Sequence, residues 1–133
     1  MATFRKWVDA MEATTVPVRE QVQGTTFEDY TFCQDGRGRS IGARFVIRRV
    51  AVTAGESVPG TLLGVPGLWW TVDVHGLRDG LPFGSSHGTQ WFGSEEDARI
   101  FIMGRRLIRC KAAMKKWGIP RDGWATPTKV EVL

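Results

Sequence analysis

An α+β fold is the architecture this sequence predicts, and three observations predict it. Alternating apolar and polar residues, above all at 68–75, have the two-residue period of a strand. The segment 94–117 has the three-and-four spacing of one long helix. Sixteen glycines and six prolines, concentrated between such segments, supply the turns of an antiparallel sheet. The expected arrangement is a single domain over residues 1–133. It has a short N-terminal helix, an antiparallel sheet of three to five strands, and one long helix packed across the sheet. A chain of 133 residues is long enough to bury one core. No repeat or low-complexity tract divides it.

Each element has a local reason. At 3–12, Thr3 offers a cap, and Phe4, Trp7, Val8 and Met11 share one face. A helix this short must dock on something to persist. Residues 26–34 are rich in aromatic and β-branched side chains and read as a first strand. Asp35-Gly36 is the signal of a two-residue hairpin turn. A second strand spans about 39–54. Ile41, Ala43, Phe45 and Ile47 alternate onto one face, with Arg44 and Arg48 on the other. The phase then changes at Val50 and Val52, which predicts a bulge at Arg48-Arg49.

The third strand, 68–75, places Leu68, Trp70, Val72 and Val74 inward and Trp69, Thr71, Asp73 and His75 outward. Between the second and third strands, 55–67 is a long glycine- and proline-rich loop carrying Leu62, Leu63 and Val65. Loops of that length commonly serve a function. Asp79-Gly80 marks another turn, Thr89–Phe92 a short strand, and 129–133 a last one. The long helix opens at Ser94, with acids in its first turn and cations later, as the helix dipole favours. Gly118 and Pro120 close it. Its apolar stripe is Ile100, Met103, Leu107, Cys110, Met114 and Trp117. The expectation is that Trp70, Val72 and Val74 bury against Ile100, Met103, Leu107 and Met114.

The net charge is +4, and its distribution says more than its size. Positive charge gathers in two blocks. One is the 37–49 arm, with Arg37, Arg39, Arg44, Arg48 and Arg49. The other is the helix, where Arg99, Arg105, Arg106, Arg109, Lys111, Lys115 and Lys116 follow the three opening acids. Arg105, Arg109 and Lys116 fall near one line. A basic surface points to an anionic partner, and arginine suits bidentate contact with phosphate or carboxylate. Arg44 and Arg48 beside Trp69 would also suit single-stranded nucleic acid, with charge for phosphates and a ring for bases.

Chemistry is weakly signalled. His75 and His87 lie in no nucleophile-elbow or proton-relay spacing. Cys33, Cys110 and the histidines lack paired-ligand spacing, so no metal and no cofactor is expected. The two cysteines read as free thiols, and the chain as a cytoplasmic protein without a membrane span. The expectation is therefore no catalytic residue and no enzyme.

Three strands leading to a helix through Trp91, Phe92, Gly93 and Ser94 resemble, in element order over 39–117, the sheet-plus-helix DNA-binding modules of phage integrase arm-binding domains and plant ethylene-response factors. That resemblance implies DNA contact and transfers no individual residue. The expected function is non-enzymatic binding of an anionic partner, nucleic acid or a nucleoprotein complex, through Arg44, Arg48, Arg105, Arg106, Arg109 and Lys116. The alternative is a protein-interaction module that grips its partner with Leu62, Leu63 and Trp69. Phage or mobile-element inhibitors of host complexes, and virion accessory proteins, are small proteins of that kind.

Overall fold

The computed structural model describes residues 21–52, 67–84 and 88–133. The element order is β1 (Gln21–Gln34), β2 (Ser40–Val52), β3 (Gly67–Arg78), β4 (Leu81–Phe83), β5 (Thr89–Phe92), α1 (Glu95–Trp117) and β6 (Lys129–Val132). The strands form one antiparallel sheet in the order β4-β3-β2-β1-β6, with β5 also paired to β3. Among the described residues a single helix packs on one face, so the class is α+β. The expected helix at 3–12 lies outside the described residues, as do Leu62, Leu63, Val65 and His87.

The hairpin joining β1 and β2 is longer than its Asp-Gly signal suggests. Gln34 pairs with Ser40, which leaves five residues in the loop. Asp35 organises them. Its carboxylate accepts the backbone N–H of Arg37 at 2.8 Å and of Arg39 at 3.0 Å, and the Arg39 Nε–H at 2.8 Å. Burial opposes ionisation of Asp35, but these donors outweigh it and hold its pKa below the ordinary carboxylate value. Asp79-Gly80 is a two-residue turn between Arg78 and Leu81. Both turn residues have positive φ, 52° and 77°, as a type I′ hairpin requires.

The expected bulge at Arg48-Arg49 is absent. The β2–β3 ladder runs without a shift from Ile41 to Val52. The register shifts lie on the other side of β2, where β1 carries the extra residues, at Gln21/Gln23, Gln23/Thr26 and Thr31/Cys33. The last of these lets Phe32 and its neighbour Cys33 both enter the core. Val46 and Val50 stay in phase on the face away from the helix, and that face is buried too at Val46, Val50, Trp69, Thr71 and Leu77.

The helix begins where expected, with Ser94 Oγ accepting the Asp97 N–H at 3.1 Å. Its orientation differs from expectation. The side turned to the sheet carries Ala98, Ile102, Cys110 and Ala113, with Phe101 partly buried beside them. Ile100, Met103, Leu107 and Met114, expected in the core, are exposed, at 55%, 55%, 42% and 45%. The reason is volume. The sheet already presents Tyr30, Phe32, Phe45, Trp70, Val72 and Val74. In a close-packed interior three small helix residues, Ala98, Cys110 and Ala113, then fit beside the larger Ile102, and the long Met103, Leu107 and Met114 stay outside. Tyr30 and Phe45 meet edge to face, with centroids 5.7 Å apart. The C-terminal segment returns along β1, where the Arg121 N–H donates to the Phe32 carbonyl at 2.6 Å and the Thr128 N–H to the Asp29 carbonyl at 2.7 Å.

Candidate binding surfaces of the long helix

The 37–49 block is split by the sheet: Arg49 lies on the helix side, in a pocket with Glu95 and Arg99 of α1, whereas Arg44 and Arg48 lie on the far side. Alternation along β2 sends Ala43, Phe45 and Ile47 toward α1 and therefore turns Arg44 and Arg48 the other way. There both arginines meet acids. Arg44 makes a two-pronged contact with Asp29, Nε–Oδ1 2.7 Å and Nη2–Oδ2 2.9 Å. The Asp29 hydrogen bond, against the penalty of burial, raises the Arg44 pKa. Arg48 Nη1 lies 2.6 Å from Asp73 Oδ2, and Thr89 Oγ1 donates to the other oxygen of Asp73. Trp69, expected beside these arginines as an outward ring, is only 8% exposed and packs on Trp91. Charge and ring surface on this face are thus largely taken up inside the protein.

On the helix side, two more cations are engaged. Arg99 Nη1 lies 2.7 Å from Glu28 Oε2, whose other oxygen accepts the Tyr30 hydroxyl at 3.1 Å. Burial first, and the Glu28 charge second, push the Tyr30 pKa up, partly offset by Arg106. Arg106 lies over the Tyr30 ring at 4.5 Å and donates to the Ala125 carbonyl at 2.6 Å. It clamps the helix to the C-terminal segment.

Arg105, Arg109 and Lys116 remain. At 100° per residue they fall within about 40° of one another around the helix. They lie on the flank nearer the sheet. Arg105 and Arg109 are half-buried. Their stems lie along the apolar surface, as long cationic side chains do. Arg109 and Lys116 line a cleft of about 190 Å³ with Phe32, Ile41, Gly42, Ala112, Ala113 and Trp117. Lys116 sits 4.8 Å from the Trp117 ring. The Arg109 Nε is buried and, like the Nε of Arg49, Arg78 and Arg106, has no hydrogen-bond partner among the described residues. Burial, and then the neighbouring Arg105 charge, lower the Arg109 pKa. A guanidinium nonetheless stays protonated in proteins, so the cleft is lined by a half-buried charge that has no ion pair among the described residues.

The opposite side of α1 is the surface that sequence reasoning missed. Ile100, Met103, Leu107 and Met114 form a stripe open to solvent, flanked by Ile108 and continued by Trp117 and Ile119. A signal was present: Ala98, Ile102, Cys110 and Ala113 form a second stripe at helical spacing, of mostly small residues suited to close approach. Among the described residues no group of three or more histidines, cysteines and acids is arranged to hold a metal. Cys33 and Cys110 are both free and buried, and burial raises the pKa of each thiol. Among the described residues no helix is long and apolar enough to cross a membrane. Compared with known protein families, curated proteins and solved structures, the chain matches none.

Proposed function

We propose that this protein is a non-enzymatic binding protein whose helix flank, built from Arg105, Arg109 and Lys116, takes a phosphate-bearing partner, with single-stranded nucleic acid foremost. The observation that carries the reading is the cleft at Arg109. Arg109, whose buried Nε has no hydrogen-bond partner among the described residues, lines it together with a second cation, Lys116, and an exposed indole, Trp117. An anion at that point offsets both the burial and the Arg105 repulsion that disfavour the charge. Trp117 adds a ring on which a base stacks. Arg44 and Arg48, paired to Asp29 and Asp73, are not assigned to the site.

Fluorescence anisotropy with labelled single-stranded DNA and RNA tests this. The wild-type chain binds in 50 mM salt, and Arg105→Glu with Arg109→Glu abolishes binding while the circular dichroism spectrum is kept. Absence of binding to both polymers, or binding indifferent to the charge reversal, overturns the reading. A protein partner is the second reading, supported by the apolar stripe of α1. It is distinguished by association that tolerates high salt and nuclease treatment.

A further inference from the structure

The exposed stripe of α1 carries a second binding property, independent of the cationic flank. We infer that it is a self-association surface, on which a second copy of this chain docks with its own α1 antiparallel. Three observations lead there.

First, the stripe is apolar over most of the helix, with Ile100, Met103, Leu107, Ile108 and Met114 each between 42% and 57% exposed. Apolar side chains contiguous at this scale mark a contact surface.

Second, the charges that border it are self-complementary. Asp97 in the first turn and Lys115 in the last lie on the exposed side of the helix, with Lys111 between Lys115 and the stripe's centre. Positions 97 and 115 are equidistant from position 106. A two-fold axis there sets Asp97 of each copy beside Lys115 of the other, at both ends of a contact about 27 Å long. A parallel pair would set acid on acid and lysine on lysine.

Third, Gly104 lies on the same face with open space around it. A glycine inside a helix lowers stability relative to alanine, and nothing among the described residues occupies the missing side chain's place. Positions 104 and 108 are also equidistant from 106, so the same axis seats Ile108 of one copy over Gly104 of the other. Ile100 then lies beside the aliphatic stem of the second copy's Lys111. One symmetry operation accounts for the stripe, the charges and the glycine.

Sedimentation velocity of the full chain, from a few micromolar to several hundred micromolar, is the test. A single helix pair buries less than a standard interface, so the expected result is a concentration-dependent monomer–dimer equilibrium. Leu107→Lys weakens it about 100-fold, because each dimer carries two altered sites. The dilute monomer still unfolds cooperatively with a midpoint only slightly lowered, since Leu107 is 42% exposed and closes no cavity. Asp97→Lys alone and Lys115→Asp alone each weaken the dimer, and the two together restore it, which reports the antiparallel register. A monomer at every concentration overturns the inference. So does a dimer that ignores Leu107→Lys, and so does a double variant no better than the singles. None of these outcomes touches the Arg105 and Arg109 reading, whose test is nucleic-acid binding by different residues.

Discussion

The orientation of α1 makes a quantitative demand on two side chains of nearly equal size. Ile102 is 2% exposed and packs in the cluster that contains Phe45, Val72 and Val74. Leu107 is 42% exposed on the opposite side of the helix. Truncating either to alanine removes three carbon atoms. At about 0.8 kcal/mol per buried carbon, full burial of three is worth roughly 2.4 kcal/mol. Ile102→Ala also leaves a cavity closed by the sheet, which brings the expected loss to about 3–4 kcal/mol. Leu107→Ala forfeits only part of the transfer free energy and leaves no cavity, because solvent fills the space. Its expected cost is about 1 kcal/mol or less. Urea denaturation followed by circular dichroism measures both, provided the slope with denaturant is the same for each variant. The protein is kept dilute, because self-association would add concentration-dependent stability. A Leu107→Ala loss equal to or larger than that of Ile102→Ala would refute the orientation. The helix would then be turned as its most obvious apolar stripe suggests.

Three further outcomes are expected. Asp35 has a depressed pKa in the folded state, so its stabilising contribution is present above the ordinary carboxylate value and lost as pH falls through the folded value. Asp35→Asn should lower stability at pH 7 and flatten the decline below about pH 4, measured by melting temperature across pH. A Cβ at Gly42 would sit 1.9 Å from the Tyr30 carbonyl oxygen, so β1 and β2 must separate to admit it. Gly42→Ala should cost about 2 kcal/mol or more in the same denaturation assay; a cost under ~0.5 kcal/mol would count against the close approach of these strands. Cys33 and Cys110 should resist a thiol reagent at pH 7 in the folded protein and react fully in denaturant. Prompt native labelling of either would contradict their burial.

Much of the fold was legible in local pattern. Alternation from Leu68 to His75 located β3, and the Ser94 cap and Gly118 stop bracketed α1 within one residue at its N-terminal end. Thr89–Phe92 was read at its observed bounds. What escaped was decided by tertiary packing. Hydropathy ranks Met103 and Leu107 above Ala98 and Ala113, yet the aromatic side chains of the sheet leave space only for the smaller pair. The exposed β4, Leu81–Phe83, is held by its pairing with β3 and by Arg78 stacked 4.0 Å over Phe83, neither of which periodicity reports. The cationic candidates divided for the same reason. Arg44 and Arg48 found acids on neighbouring strands, Asp29 and Asp73, far away in sequence. Arg105, Arg109 and Lys116 share a helix, so their alignment was visible from spacing alone. The buried, unpartnered Arg109 Nε was not, because it depends on Phe32 and Ile41 closing the cleft.

The salt dependence of nucleic-acid affinity tests the central claim most directly. Three phosphate contacts, from Arg105, Arg109 and Lys116, predict a slope of log K against log salt of about −2 for a single strand. Lys116→Ala should reduce that slope by roughly 0.7, to about −1.4. An affinity independent of salt, or a slope unchanged when Lys116 is removed, would contradict the assignment of the phosphate site to this flank of the helix.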